Sequence, residues 1–286
     1  MPIFALYAYR GGINIPTLLF IRFILAAIFF FIYIFATRTK INVNWRQLAA
    51  LFIMGGVFYT LQSTLYFTSL KYISPSLTAL LLYTYPIIVP LLSYFIVKEK
   101  LTKRHFLAML FTFGGLVLVL GMPSGEINGL GVLMAFGAAL VYSCYIILGN
   151  KLLQKIPSIV TSAFVTLFAA GSFLTIGSIT GSFQFNFGMG TWLPILGIVL
   201  FSTMIAILTF FKGMEYTGPT AACIISTFEP LLTIGLSWLF LQEKLTIFQL
   251  IGGLAVISGA IIVVWASATE KSPKPDILID NTSSKA

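Results

Sequence analysis

The sequence predicts an all-α membrane protein, built as an inverted repeat of two five-helix units in a ten-helix architecture whose first helix is a stub. Three observations carry that expectation. The 286 residues are 58% hydrophobic and only 9% charged, with a mean hydropathy of +1.00, whereas soluble domains carry roughly 25% charged residues. The apolar residues gather into runs of bilayer-crossing length, about 20 residues each. The chain also repeats itself at an offset of 144 residues, from Tyr72 to Tyr216.

The repeat rests on residues that composition alone does not supply. Tyr72-to-Lys100 reads YISPSLTALLLYTYPIIVPLLSYFIVKEK, and Tyr216-to-Lys244 reads YTGPTAACIISTFEPLLTIGLSWLFLQEK. Pro75 aligns with Pro219, Pro86 with Pro230 and Ser93 with Ser237, and Glu99-Lys100-Leu101-Thr102 aligns with Glu243-Lys244-Leu245-Thr246. The register holds without a gap from Phe67/Phe211 to Gly115/Gly259. Leu-on-Leu matches mean little between apolar segments, but matched prolines and a four-residue polar match at one offset indicate a true internal repeat.

Taken in order, Met1–Tyr9 is apolar but too short to span and lacks the basic start of a signal peptide. It reads as the end of a first helix. Pro16–Thr37 is the first full span, with proline where a missing N–H costs little. Spans follow at Gln47–Leu70, Ser76–Val97, Arg104–Gly121, Gly129–Gly149, Ser158–Thr180, Thr191–Gly213, Pro219–Leu241 and Ile247–Trp265. Thr269–Ala286 is polar and is expected to form a short disordered cytoplasmic tail. The units are therefore residues 1–121 and 126–268, followed by the tail 269–286.

Lys and Arg gather in the cytoplasmic loops of membrane proteins. With the loop after Thr37 placed inside, thirteen fall on the cytoplasmic side: Arg38, Lys40, Arg46, Lys98, Lys100, Lys103, Arg104, Lys151, Lys155, Lys212, Lys271, Lys274 and Lys285. Only Arg10, Lys71 and Lys244 fall outside, while Arg22 lies within a span. This distribution, rather than nucleic-acid binding, accounts for the net charge of +9. Five helices per unit then invert the second copy relative to the first, an architecture that places a site near the midplane between the copies.

At this point the chain resembles the EamA-type transporters of the drug/metabolite transporter superfamily. The resemblance is carried by Arg22-Phe23, by PIIVPLLSYFIVKEKLT from Pro86 with its partner EPLLTIGLSWLFLQEKLT from Glu229, and by Gly114-Gly115 and Gly252-Gly253. It covers nearly the whole chain and implies export of small metabolites in a cell membrane. The departure is the first helix, since the family has ten full spans.

Glu229 stands in the middle of a span, where ionisable groups mark cavities and pathways. Pro230 beside it breaks the helix, which lipid tolerates only where neighbours or water satisfy the freed groups. Ser226, Glu229, Thr233 and Ser237 share one helical face. The repeat sets Tyr85 opposite Glu229, and a tyrosine can donate to a carboxylate or stack on a cationic or aromatic solute. Tyr59, Gln62, Ser63 and Tyr66 form a second polar stripe, and Tyr142, Ser143 and Tyr145 a third. The predicted substrate-binding residues are Tyr59, Gln62, Tyr66, Tyr85, Tyr142, Ser226, Glu229 and Thr233. Interhelical hydrogen bonding is an equally simple reading of the Tyr59–Tyr66 stripe, and Glu229 is also a candidate for binding and releasing protons.

Other features read structurally. The EKLT turns end one helix and cap the next, with Thr246 and Gln249 forming a capping box and Thr102 placed likewise. The paired glycines let helices approach within the chain, and secondarily offer a homodimer face. Arg22 snorkels outward or pairs with a helix end. Lys212 and Glu215 are spaced to pair. His105 reads as a solvated residue of a basic loop, and Cys144 and Cys223 as small hydrophobes. No phosphate loop, GxSxG, paired histidines or DxD occurs, which argues against an enzyme, a cofactor or a metal. The expected partners are a small-molecule substrate and the bilayer. Alternatives of the same fold are a passive facilitator or channel and a non-transporting membrane scaffold.

The charge bias predicts that a topology reporter fused after Ala286 reads cytoplasmic and one inserted at Ser124-Gly125 reads external. An external C-terminus would sink the orientation.

Overall fold

The computed structural model describes residues 2–121, 128–241 and 246–271. Among them, nine helices are long and apolar enough to cross a membrane, and no strand occurs. In chain order they follow a short α1 (Pro2–Arg10) and are α2 (Ile15–Ala36), α3 (Trp45–Ser69), α4 (Pro75–Ile96), α5 (Lys103–Leu120), α6 (Gly129–Leu153), α7 (Ser158–Ile179), α8 (Met189–Thr217), α9 and α10 (Ile247–Lys271). α9 comprises Pro219–Ser226 and Phe228–Leu241.

Local chemistry sets the starts. Asn14 caps α2, accepting from Thr17 N at 3.1 Å, with Pro16 in the first turn. Asn44 and Gln47 form a reciprocal capping box at α3, both bonds 2.9 Å. Thr246 and Gln249 do the same at α10, at 2.9 and 3.3 Å. At α5 the box pairs Thr102 with His105, whose Nδ1 accepts from Thr102 N at 3.2 Å. This corrects the expectation for His105. It is 1% exposed, because the imidazole takes the role that Gln249 has in the second copy and is drawn under its own helix start.

The repeat is visible in the interruptions. α4 divides into α4a (Pro75–Leu82) and α4b (Tyr85–Ile96), and α9 into α9a (Pro219–Ser226) and α9b (Phe228–Leu241). The a-halves begin and end at residues 144 apart. Each break precedes its proline, since Pro86 and Pro230 have no N–H and crowd the carbonyl four residues back. α3 and α8 carry a second matched irregularity, π-helical segments at Ile53–Tyr59 and Ile198–Ile205. In each, a threonine hydroxyl donates five residues back: Thr60 to Gly55 O at 3.3 Å and Thr203 to Ile198 O at 3.1 Å.

α2 lies on α7, with Phe23 stacked on Phe173 at 5.8 Å and Phe31 edge-on to Phe164 at 5.4 Å. α5 lies on α10 through glycine. A Cβ on Gly115 would sit 2.6 Å from Gly252 O, and one on Gly252 would sit 2.5 Å from Gly115 O, while Gly114 faces open space. Gly115 and Gly252 thus serve packing within the chain. α1 packs through Phe4, which stacks on Phe201 at 6.2 Å and covers Gly197.

The loops collect at two ends. Val97 and Glu99, Asn150 and Gln154, and Glu215 and Pro219 line one pocket with His105, so the loops rich in Lys and Arg share an end. At the other end Asn14 Nδ2 donates to Ser182 O at 2.6 Å and Gln184 N to Thr17 Oγ1 at 2.9 Å, and Tyr72 and Ile73 lie against Gly131.

Two further expectations are corrected. Glu215 accepts a hydrogen bond from Ser158 rather than pairing with the exposed Lys212, because α7 begins within reach of the carboxylate. α10 runs on to Lys271, so Thr269–Lys271 extend the helix that the apolar run has already nucleated instead of opening the tail. The Glu243-Lys244 turn, the Ser124-Gly125 loop, residues 272–286 and the Ser237 side chain lie outside the described residues.

The glycine contact predicts that Gly115→Ala or Gly252→Ala destabilises the bundle by about 1–3 kcal/mol, the usual cost of overpacking. Gly114→Ala should leave the melting temperature in detergent unchanged or raised.

Candidate functional site

The broken helices bring two of the predicted residues, Tyr85 and Ser226, together. Tyr85, 4% exposed, opens α4b, and its hydroxyl lies 2.6 Å from Ser226 Oγ at the end of α9a. One bond thus joins the two breaks, and the two copies of the repeat. Ser226 also donates to Cys223 O at 2.7 Å, satisfying a carbonyl at the end of the half-helix.

From Tyr85 a column of rings runs through the bundle. Tyr85 meets Tyr142 edge-on at 4.9 Å, Tyr142 stacks on Tyr145 at 5.7 Å, Tyr145 meets Tyr59 at 5.9 Å, and Tyr59 meets Phe23 at 4.9 Å. Edge-on and offset contacts are the arrangements that ring quadrupoles favour. The column ends on Arg22, whose guanidinium lies 4.6 Å from the Phe23 centroid, with Nη2 3.4 Å from the Tyr59 hydroxyl. Arg22 is 4% exposed. It therefore does not snorkel outward, because the flat, weakly hydrated guanidinium finds a ring face inside.

Glu229 lies in the first turn of α9b, directly after the break, and is exposed. Its carboxylate couples electrostatically to the hydroxyls of Tyr66, Tyr83 and Tyr142. Those residues come from α3, the α4 break and α6. Gln62 is half-buried one turn before Tyr66 and accepts from Ser63 at 3.4 Å. Thr233 is half-buried one turn beyond Glu229. No hydrogen bond or ring contact joins it to another candidate among the described residues.

Sequence reasoning missed Tyr83. Two residues before Tyr85, it would point to the opposite side of an unbroken helix. The break swings it round, so that the two rings are 6.0 Å apart. Its signal was its place just before Pro86, in the stretch that proline excludes from regular helix. Among the described residues, no group of three or more His, Cys, Asp or Glu could hold a metal.

The chain thus has membrane-crossing helices, two of them interrupted at the same register. The chain belongs to the EamA-like transporter family, which it matches over residues 1–121 and 129–265. It is similar to the uncharacterised transporter YyaM of Bacillus subtilis, 25% identical over 257 residues covering 87% of this chain and 83% of that one. Protein PecM of Dickeya dadantii is 26% identical over 229 residues, 77% of this chain and 74% of that one. A protein crystal structure superposes with a TM-score of 0.78 at 21% identity, covering 94% and 93% of the two chains, a likeness of fold. The protein is thus a multi-pass membrane transporter and not an enzyme.

If the Tyr85–Ser226 bond joins the breaks, Tyr85→Phe and Ser226→Ala should each lower stability. A double-mutant cycle read by thermal melting should give a coupling of about 0.5–1.5 kcal/mol, the usual net value of a hydrogen bond. A coupling near zero would remove the bond from the account.

Proposed function

We propose that this protein is a secondary-active exporter of small metabolites, such as amino acids or amines, working by alternating access. Residues 1–121 and 126–268 act as two inverted EamA-like units in the cell membrane, and the residues beyond α10 as a cytoplasmic tail. The substrate-binding surface is Tyr59, Gln62, Tyr66, Tyr85, Tyr142, Ser226, Glu229 and Thr233, and Glu229 couples export to proton entry.

The observation that carries this reading is the pairing of the Tyr85–Ser226 bond with the exposed Glu229 beside it. A contact that joins two broken helices can part and reform as they rock. A carboxylate in the same place then meets either a proton or a cationic solute. Aromatic walls supply broad apolar contact to solutes of varied shape, and a ring face also attracts a cation. Breaks lined by protein or water are the form in which membrane helices supply a binding site.

Glu229→Gln separates the roles, because it keeps size and hydrogen bonding but cannot ionise. In proteoliposomes it should lose pH-driven accumulation and keep substrate exchange. Weakened binding at every pH would make Glu229 a cation partner alone. Wild-type pH dependence in the variant would remove it as the coupling group, and flux that neither saturates nor shows counterflow would favour a channel.

A further inference from the structure

A second polar pocket, away from the ring column, lies at the basic end of the bundle. It has a volume of about 380 Å³ and is walled by the ends of α4b, α6 and α8 and the starts of α5 and α9a. Two carboxylates line it, Glu99 and Glu215, with no Lys or Arg among the lining residues. The basic residues of this end, among them Lys98, Lys151, Lys155 and Lys212, are exposed around it.

Both acids are held in place by hydroxyls. Glu99, in the loop after α4b, accepts from Ser93 of α4b and from Thr220 on α9a, the latter at 2.6 Å. Glu215 accepts from Ser158 at the start of α7. In each case the bonds fall on Oε2, and Oε1 makes no hydrogen bond among the described residues. Asn150 supplies the independent observation. Its side chain lines the same pocket, is only 7% exposed and has no hydrogen-bond partner among the described residues. An amide so enclosed gains from a hydrogen-bonding partner that enters the pocket.

We infer that this pocket is a binding site for a small solute bearing a primary ammonium group. Two fixed carboxylates present oxygens and negative charge, which a compact ammonium with three donors satisfies. The Asn150 carbonyl oxygen takes a further N–H. A neutral or anionic solute would bring no positive charge to the two acids. The site stands apart from the Glu229 cluster and does not depend on the carrier reading, although at this end of the bundle it would load an exported amine.

The test uses the full chain in lipid nanodiscs, with Cys144→Ser and Cys223→Ser as background and Gln154→Cys as reporter, since Gln154 is an exposed residue of the pocket rim. n-Propylammonium should slow maleimide labelling of the reporter, and n-propanol and potassium should not. Calorimetry should show propylammonium binding weakened about tenfold or more by Glu215→Gln and by Asn150→Leu, from the loss of hydrogen bonds to a charged group. Asn150→Leu removes no existing hydrogen bond, so it keeps the test sound if an acid variant folds poorly. Equal protection by propanol or potassium, or binding unchanged in both variants, overturns the site. Binding lost only in Glu229→Gln also overturns it by moving the ammonium to the central cluster, and leaves the carrier reading standing.

Discussion

The structure depends on two prolines in lipid. A membrane helix must satisfy its own backbone, because nothing around it will. Pro86 and Pro230 prevent that at one register in the two copies, freeing the carbonyls four residues back. Hydroxyls next to the breaks donate to nearby carbonyls: Thr84 to Leu81 O at 2.7 Å and Thr227 to Ile224 O at 2.5 Å. Ser226 does the same for Cys223 while also reaching Tyr85. The interruptions are therefore stable, polar and placed opposite one another. Everything assigned to function in the core of the bundle follows from that arrangement, including the position of Glu229 at the start of a half-helix.

Close packing elsewhere supplies the frame. The α5–α10 contact is so near that neither Gly115 nor Gly252 has room for a methyl group. Gly55 is pressed as closely on the Val165 carbonyl of α7, within a π-helical segment. Small residues let helices touch in lipid, where no hydrophobic force drives them together. The π-helical segment in α3 ends at Tyr59, which joins the ring column. Segments of this kind are frequent at functional sites.

Much of this was legible in the sequence. Hydropathy gave the spans to within a few residues, because the bilayer thickness fixes their length. The 144-residue offset located both breaks, since proline acts through local covalent geometry. The Thr246–Gln249 cap was legible for the same reason. Features that depend on neighbours distant in sequence were not. His105 looked solvated because no local rule says that an imidazole will stand where the second copy has glutamine. Tyr83 was hidden by helical periodicity, which fails at a break. Arg22 was expected to reach water or a helix end, and only the fold brings the Tyr59 hydroxyl to it beside the Phe23 ring face. Glu215 had a sequence neighbour in Lys212, but its partner Ser158 is 57 residues away.

The central claim is that Glu229, at the second break, faces water within the protein rather than lipid. The most direct measurement is the reactivity of Glu229→Cys, in a chain lacking Cys144 and Cys223, toward a charged, membrane-impermeant thiosulfonate. The account predicts modification at rates near those of an exposed loop cysteine, slowed when Tyr66 or Tyr142 is replaced by Trp to narrow the space. Modification only by a membrane-soluble maleimide, with the charged reagent inert, would place the residue against lipid and contradict the account.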